Sequence, residues 1–342
     1  MSATEGRPLR IGIVGTGGIS ENHARGYRAA GCEIVAIADP DAAARTRRAA
    51  EWGAPAAYAD HRELLAVPGL DAVSVCTPNA VHGPVTMAAA AAGIHVLCEK
   101  PVSLSLEEGE AMIDACRRAG VVLQVNHHLR ANPAVARARA MLDAGALGRI
   151  AFIRFRQAHD WGGAKTLRPT FRSKALAGGG TLLDNGCHLF DLTRHLGGEV
   201  ETVFAEGATL GFDAEVEDTA VATMRFAGGA LGQVETAWTA TGWEMGFWIY
   251  GTEGALEYSD RSGRPILRHS YRAPSDVAWG DATVESWEEP GGSDHTRAVE
   301  AFVAAVRGER PALCTGRDGL EAVRLALACY RSMETGERVR LG

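Results

Sequence analysis

The sequence lacks the features that mark secreted, metal-stapled or membrane-spanning proteins. Its cysteines are odd in number and include no CxxC pair, so neither a disulfide framework nor a zinc knuckle is indicated. No apolar run approaches the ~20 residues that a bilayer crossing needs. The first ten residues, MSATEGRPLR, lack the basic-then-apolar pattern of a secretory signal. We therefore expect a cytoplasmic protein with reduced cysteines.

The sequence also lacks any run of basic residues. The net charge is −7, so no positive stripe is available to follow a phosphate backbone. Internal repeats and low-complexity tracts are absent as well. We therefore expect neither a nucleic-acid partner nor a membrane partner. The expected ligand is a small molecule.

What the chain does have is length and a regular alternation in its first part. At 342 residues it is longer than a chain that usually folds around one hydrophobic core. Two domains are therefore expected, 1–126 and 127–342. Within the first, helical stretches rich in Ala, Glu and Arg separate short apolar runs, namely LRIGIVG, EIVAIAD, AVSVCTP, HVLCEKP and VVLQVN. Strands alternating with helices predict an α/β fold with a doubly wound parallel sheet.

After residue 126 the pattern changes to that of an α+β domain. The segment EDTAVATMRFAGGALGQVETAWTA contains two strand-like halves around a tight AGG turn, which predicts an antiparallel hairpin in a large, mostly antiparallel sheet. Residues 260–293 show no clear period and are expected to form loops with at most one short strand. Two amphipathic helices end the chain, and the C-terminal helix is expected to pack back on the first domain.

A glycine-rich turn follows the first strand directly. Gly15, Gly17 and Ser20 fit G-x-G-x-x-[GAS] between a strand and a helix, where small residues let a pyrophosphate approach the helix N-terminus. Asp39 ends the second strand, near the distance expected of an acid that binds an adenosine ribose. The residues expected to contact the dinucleotide at this turn are Gly15, Thr16, Gly17, Gly18 and Ile19.

Asp39 also bears on which nicotinamide cofactor is used. A carboxylate repels a 2′-phosphate, which favours NAD. Arg45 and Arg47 lie one or two turns downstream and are able to pair with a phosphate, so NADP stays open as a second cofactor.

Two later strands end in polar residues, CTPNAVH at 76–82 and CEKP at 98–101. Ligands gather at the carboxyl ends of the strands of an open parallel sheet. Glu99 and Lys100 are costly to bury in a core, so we expect them in a cleft, with the lysine as a positive charge beside a reacting oxygen. The alternative is an exposed surface pair.

A third polar cluster lies in GGGTLLDNGCHLFDL. On a helix, Asp184, His188 and Asp191 share one face at i, i+4 and i+7. An imidazole between carboxylates suits a general base. A capping aspartate with a core histidine, or a divalent metal site, are the alternatives; three such groups on one helix rarely complete a coordination sphere, and no metal is predicted.

These motifs together resemble the Gfo/Idh/MocA family, named after glucose-fructose oxidoreductase and inositol dehydrogenase. The resemblance rests on the glycine turn, TPN at 77–79, EKP at 99–101 and the D-x-G-x-H-x-x-D run that begins at Asp184, and it covers essentially the whole chain. It implies a Rossmann domain followed by an open-faced sheet domain, and a homodimer or homotetramer formed through that sheet.

The resemblance also implies roles for single residues. Lys100 would be the catalytic lysine, with a cis peptide before Pro101; His188 would be the acid/base, and Asp184 would orient substrate hydroxyls or the histidine. Residues that would line the nicotinamide ribose or touch the cofactor are Thr77, Pro78, Asn79, His82, Glu99 and Asn126. The sequence departs from the family pattern at Ser20 and in NHHLR at 126–130.

The segment HDWGGAKTLRPTFR at 159–172 supplies further candidate substrate contacts. Trp161, Arg168 and Arg172, with Lys165, would grip a sugar and an anionic substituent, or else form a solvated surface loop. His127 is a further candidate, although one of two adjacent side chains on a strand must point away.

The predicted activity is an NAD-dependent dehydrogenase that oxidises a secondary alcohol of a cyclic polyol or sugar, or reduces the ketone. Two alternatives remain open at this point. One is a glycosidase or lyase that uses bound NAD for transient oxidation. The other is a redox sensor that binds NAD without catalysis, which would need none of Lys100, Asp184 and His188.

Overall fold

The computed structural model describes residues 6–160, 169–261, 265–276 and 278–341. The chain forms two compact units. One comprises the residues up to Ala131 together with Gly292–Val323, and the other comprises Asn132–Gly291 and the residues from Arg324 onwards. A domain boundary at residue 126 stays a prediction, and the grouping adds that a late segment belongs with the first part of the chain.

The first unit contains a six-stranded sheet in the order β3-β2-β1-β4-β5-β6, and the paired strands run parallel. This is the strand order of a doubly wound dinucleotide-binding fold, as predicted. Its strands and the helices between them are β1 (Arg10–Val14), α1 (Ser20–Ala29), β2 (Glu33–Ala38), α2 (Ala42–Trp52), β3 (Ala56–Tyr58), α3 (His61–Leu65), β4 (Ala72–Val75), α4 (His82–Ala91), β5 (His95–Cys98), α5 (Leu106–Ala119) and β6 (Leu123–Val125).

The central strands of this sheet are almost entirely buried because both of their faces are covered. All four residues of β4 and the last four of β1 are buried. β3 was not predicted from the sequence, since it has only three residues and none of them is buried. A short 3-10 helix (Asn79–Val81) leads into α4.

The second unit is built on a nine-stranded sheet in the order β14-β13-β12-β11-β7-β10-β9-β8-β15. β7 and β10 pair in parallel, and the other described pairs are antiparallel, which confirms the mostly antiparallel sheet. Before the late helices its elements are α6 (Pro133–Asp143), β7 (Ile150–Ala158), α7 (Pro169–Arg172), α8 (Lys174–Ala177), α9 (Thr181–Asp184), α10 (Gly186–Gly197), β8 (Val200–Ala208), β9 (Thr219–Phe226), β10 (Leu231–Ala237), β11 (Glu244–Gly251), β12 (Gly254–Ser259), β13 (Ile266–Tyr271) and β14 (Thr283–Glu288).

The two faces of this sheet differ in composition. One face is apolar and buried, and includes the paired rings of Phe155 and Phe247, whose centroids lie 5.8 Å apart. On the other face, Phe152 stacks on Tyr250 at 6.0 Å and the Arg154 guanidinium lies 4.9 Å from the ring centroid of Trp248. Tyr250 remains 48% exposed, so this second face carries aromatic surface in contact with solvent.

The prediction for residues 260–293 was wrong in its amount of strand. β13 and β14 pair there as an antiparallel hairpin. β14 reads TVESWE, and none of its residues is buried, because it is the edge of the sheet. An edge strand needs no buried face, so it leaves no hydrophobic period to detect.

The two predicted late helices are present as α11 (Asp294–Val306) and α12 (Gly316–Thr335), and β15 (Val339–Arg340) follows them. Ser293 accepts a hydrogen bond from Thr296 N and caps α11. Val299, Phe302, Val303 and Val306 lie in the core of the first unit with residues of β1 and α1. Among the described residues, no helix combines the length and apolar character that crossing a membrane would demand.

Candidate active site

The glycine turn between β1 and α1 is tightly constrained at its first residue and open further along. Gly15 has φ +89°, and a Cβ there would overlap the Cys76 carbonyl oxygen and lie 2.7 Å from the carbonyl carbon. Gly17 and Gly18 are exposed, and Ser20 Oγ donates to Gly17 O at 2.6 Å. Only glycine fits position 15, and the exposed turn leaves backbone accessible to a ligand.

The N-terminus of α1 differs from that of α2. At α2, the Asp41 carboxylate caps the helix by accepting from Ala43 N and Ala44 N. At α1, the N-cap residue Ile19 makes no side-chain cap bond. The first N–H groups of α1 are therefore available to an anion, which is what a pyrophosphate requires.

Asp39 is held in place at the end of β2 by the glycine turn itself. Its Oδ2 accepts from Thr16 N at 2.7 Å and from Thr16 Oγ1 at 2.8 Å. Its Oδ1 accepts from Asp41 N at 2.9 Å. Arg45 donates to Asp39 O, and Arg47 pairs with Glu51 at 3.8 Å. The structure thus brings the predicted acid to the turn.

The TPN segment follows β4, and His82 ties it to the EKP segment. The His82 ring is fully buried, with Nε2 3.0 Å from Thr77 O and Nδ1 2.8 Å from Pro101 O. Burial lowers the pKa of His82 in spite of these contacts. Thr77 Oγ1 is buried and has no hydrogen-bond partner among the described residues. His82 thus joins two loops, and its predicted ribose contact stays a prediction.

Glu99 lies at the centre of a buried polar network at the end of β5. Its Oε1 is 2.7 Å from His23 Nε2 and accepts from Asn126 Nδ2 at 2.6 Å, and its Oε2 accepts from Lys100 N at 3.3 Å. Burial alone would raise the pKa of Glu99, but the hydrogen bonds from His23 and Asn126 outweigh it and hold that pKa far below its usual value. Glu99 is therefore an ionised carboxylate, beside a half-buried Lys100 that is followed by a cis peptide to Pro101.

Sequence reasoning did not assign His23 to this network. The residue lies on α1, is fully buried, and has Ser74 Oγ 2.8 Å from its Nδ1. Tyr27 OH lies 2.8 Å from the same Ser74 Oγ. Three buried side chains thus lead from α1 and β4 to the predicted Glu99–Lys100 pair.

Two further histidines of the first unit stack on each other. The His128 and His295 ring centroids are 3.7 Å apart with 24° between the planes. Burial is the largest cause that lowers the pKa of both, in the case of His295 to about 4. His127 is buried, and it follows β6 rather than lying in a strand, so the strand argument about alternate directions does not apply to it. Its substrate contact stays a prediction.

In the second unit the D-x-G-x-H-x-x-D run is helical, as predicted. α9 and α10 are joined by Asn185, which has helical dihedrals of φ −76° and ψ −43°. Asp184 is half-buried and accepts from Trp238 Nε1 at 3.3 Å, whereas His188 is 3% exposed and Asp191 is fully buried. The run therefore lies in two consecutive helices, α9 and α10, with its polar groups mostly removed from solvent.

Glu217 fixes the glycine segment that leads into this helix. Its carboxylate accepts from Gly180 N at 3.1 Å, from Leu182 N at 2.9 Å and from Tyr330 OH at 2.9 Å. Burial raises the pKa of Glu217. A Cβ on Gly180 would overlap the Glu217 carbonyl oxygen, so the Gly-rich sequence here follows from backbone packed on backbone.

The substrate contacts predicted in the 159–172 segment stay predictions. Trp161, Lys165 and Arg168 lie outside the described residues. Arg172, at the end of α7, donates to Asp213 O at 3.5 Å.

Trp243, which the sequence analysis did not assign, stacks on His159, with ring centroids 5.2 Å apart and 7° between the planes. The Trp243 Nε1 donates to Asp260 Oδ2 at 2.8 Å, and His159 Nε2 is 3.2 Å from Asn185 Oδ1. Trp243 remains 50% exposed, so it offers a fixed aromatic surface beside His159, which in turn contacts Asn185, the residue after Asp184.

The two units thus define a class of protein: an oxidoreductase with an NAD-binding Rossmann domain and a second domain built on a large sheet. Residues 9–127 match the oxidoreductase family model with an NAD-binding Rossmann fold, and residues 135–257 match the GFO/IDH/MocA C-terminal domain. The chain belongs to the Gfo/Idh/MocA oxidoreductase family.

Its relatives cover most of its length. The chain is 35% identical to 1,5-anhydro-D-fructose reductase of Ensifer adhaerens, over 97% of this chain and 98% of that protein. It is 31% identical to levoglucosan dehydrogenase of Pseudarthrobacter phenanthrenivorans, over 78% of this chain and 81% of that protein. A solved structure of levoglucosan dehydrogenase in complex with NADH superposes with a TM-score of 0.88 and 27% identity, covering 98% of this chain and 100% of that chain.

Proposed function

We propose that this protein is an NAD-dependent dehydrogenase that interconverts a secondary alcohol and a ketone on a cyclic polyol or sugar. Two sets of residues support it: a dinucleotide-binding turn and the Lys100 ammonium in the first unit, and the His188 imidazole in the second unit. The names of its relatives support the substrate class, because they include a reductase of an anhydroketose and a dehydrogenase of an anhydrosugar.

The first unit fits the cofactor at several points. The uncapped N-terminus of α1 suits the pyrophosphate, and the Asp39 carboxylate suits a ribose with free hydroxyls. Thr77 Oγ1 and Asn126 Oδ1 are buried polar atoms that make no hydrogen bond within the described chain, and a bound ligand would satisfy both. NAD, when bound, supplies the acceptor for the hydride.

The protein's own groups then handle the proton and the charge. His188 takes the proton of the substrate hydroxyl, and the Lys100 ammonium stabilises the negative charge that develops on the oxygen. Asp184, held by Trp238 Nε1, orients substrate hydroxyls or the histidine. The ionised Glu99 holds the start of the EKP segment through the Lys100 backbone N–H.

The exposed face of Trp243 suits a sugar ring. Carbohydrates present C–H faces that pack on aromatic planes, and this indole is fixed on one side by His159 and at its N–H by Asp260. We expect the ring of the substrate to pack there while its hydroxyl groups meet Asp184.

The test is a panel of inositols, aldoses, anhydrosugars and sugar acids, each assayed with NAD and with NADP and followed by identification of the ketone. We expect NADH formation with at least one class, and a loss of turnover in both Lys100→Met and His188→Ala with NADH binding retained. Near-normal turnover in both variants would refute the assigned roles. Glycoside cleavage without net NADH would instead identify the transient-oxidation mechanism.

We also propose that the protein forms a homodimer or homotetramer through the exposed sheet face that carries Phe152, Arg154, Trp248 and Tyr250. Light scattering after size exclusion should give a mass of two or four chains, and Tyr250→Asp should dissociate it. Trp279→Asp, at a fully exposed position, is the control. A monomeric wild type would refute this. Seven free, buried cysteines and a nicotinamide cofactor fit a reducing, cytoplasmic location.

A further inference from the structure

We infer that His23 is a positioning residue for the reaction: it holds the Glu99 carboxylate through Nε2, and through Glu99 it sets both the Asn126 amide and the start of the EKP segment. The inference rests on the proposed function, in which the Lys100 ammonium stabilises the substrate oxygen and Asn126 faces the cofactor. His23 itself is fully buried on α1, so it acts through other residues.

The geometry concentrates three donors on one carboxylate. Glu99 Oε1 receives both His23 Nε2 at 2.7 Å and Asn126 Nδ2 at 2.6 Å, and Oε2 receives the Lys100 backbone N–H at 3.3 Å. Glu99 is 6% exposed, so water contributes little to holding it. An ionised carboxylate in such surroundings is stable only while its donors remain in place.

The orientation of the Asn126 amide follows from the same contact. Its Nδ2 must face Glu99, because two oxygens facing each other would repel. Its Oδ1 is therefore directed elsewhere, and this buried atom accepts no hydrogen bond within the described residues. Glu99 thus fixes which atom of Asn126 is offered to a ligand, and His23 fixes Glu99.

The protons of the network can be counted. Ser74 Oγ is the hydrogen-bond partner found for the buried Tyr27 hydroxyl, at 2.8 Å, so Tyr27 donates to Ser74. The Ser74 hydroxyl, which accepts from Tyr27, donates its single proton to His23 Nδ1 at 2.8 Å. Nδ1 accordingly carries no proton, and Nε2 carries the proton that goes to Glu99. In this arrangement the protons of Tyr27, Ser74 and His23 Nε2 each have an acceptor.

Two substitutions separate positioning from packing. His23→Leu fills the same space in the core with an apolar side chain and removes the donor to Glu99. His23→Gln instead places an amide N–H near the position of Nε2. We expect His23→Leu to weaken NADH binding about tenfold, the equivalent of losing one hydrogen bond to a charged group, and to lower kcat by at least as much. His23→Gln should stay within about threefold of wild type in both.

The control is Val299→Ala. Val299 packs directly against Gly26 of α1, where an added Cβ would lie 2.6 Å from Val299 Cβ, so this substitution opens a cavity beside the same helix. It should lower thermal stability while leaving NADH affinity and kcat unchanged. NADH binding is measured by fluorescence titration, which does not require the substrate to be known. A panel without any oxidised sugar would therefore refute the proposed function and still leave His23 tested.

The tautomer gives a spectroscopic check. In ¹⁵N-histidine spectra, the resonance pair that disappears in His23→Gln should show a protonated Nε2 and an unprotonated Nδ1, and Ser74→Ala should disturb that pair. A protonated Nδ1 in the wild type would overturn the assignment of the Tyr27–Ser74 relay. Wild-type NADH affinity and kcat in a folded His23→Leu protein would overturn the positioning role.

Discussion

The most direct test of the dinucleotide turn is to add one methyl group to it, as Gly15→Ala. The residue has φ +89°, and its Cβ would overlap the Cys76 carbonyl oxygen. Cys76 cannot easily yield, because its own N–H donates to Val14 O at 2.7 Å and thereby continues the pairing of β4 with β1. The substitution therefore meets two separate penalties.

Both penalties can be sized. An alanine in the left-handed region costs ~1–2 kcal/mol. Forcing a carbon into packed backbone adds ~1–3 kcal/mol of displacement. The free energy of unfolding of the first unit should therefore fall by ~2–5 kcal/mol in Gly15→Ala. The displaced turn should also bind NADH more weakly.

Two control variants isolate the first penalty. Gly120→Ala lies in the same unit at φ +67°, and Gly229→Ala has nearly the same φ, +88°; nothing lies within 4 Å of a Cβ at either position. Each should lose only ~1–2 kcal/mol in urea unfolding followed by circular dichroism, and each should bind NADH normally in a fluorescence titration. If Gly15→Ala were as stable as these controls, the backbone contact would not be the constraint we describe.

Three further outcomes follow from the site. Asp39→Asn removes the charge and keeps the shape, so the ratio of kcat/KM for NADP to that for NAD should rise about tenfold or more; an unchanged ratio would contradict the repulsion. Trp243→Ala should raise the KM for the sugar about five- to tenfold without affecting NADH binding, whereas the fully exposed Trp279→Ala should change neither. Because the folded state lowers the pKa of Glu99, the carboxylate contributes stability above the ordinary pKa of about 4.3, and that contribution is lost as the pH falls below it. In urea unfolding, wild type should exceed Glu99→Gln by more at pH 7 than at pH 3.5, and a constant difference would contradict this.

Much of the fold is predictable because its strands, helices and turns follow from local sequence patterns. The parallel sheet follows from apolar runs separated by helical stretches, and the β9–β10 hairpin follows from its AGG turn. The pattern failed at β3 and β14, where strands carry no buried residue, and at β13, which follows a turn-rich stretch. Edge strands pair through backbone atoms, which every residue has, so this pairing requires no particular pattern of side chains.

The candidate site is predictable to the extent that its residues adjoin a turn or a strand end. Glu99 and Lys100 stand out because charges follow a buried strand directly. His23 gives no such signal: it bonds to a residue 76 positions away, and a buried histidine on a helix looks like any other. Trp243 was missed for a similar reason, since only the register of β7 and β11 brings it beside His159.

The grouping of residues 292–323 with the first part of the chain has a consequence for how the protein is made. Gly26 of α1 packs against Val299, and Tyr27 meets Phe302 edge-on at 6.5 Å, so α1 is covered by α11. A ribosome therefore releases the whole parallel sheet long before the segment that shields α1 has been synthesised. The nucleotide-binding unit therefore matures only after α11 has been synthesised, and a variant without α11 would leave α1 uncovered.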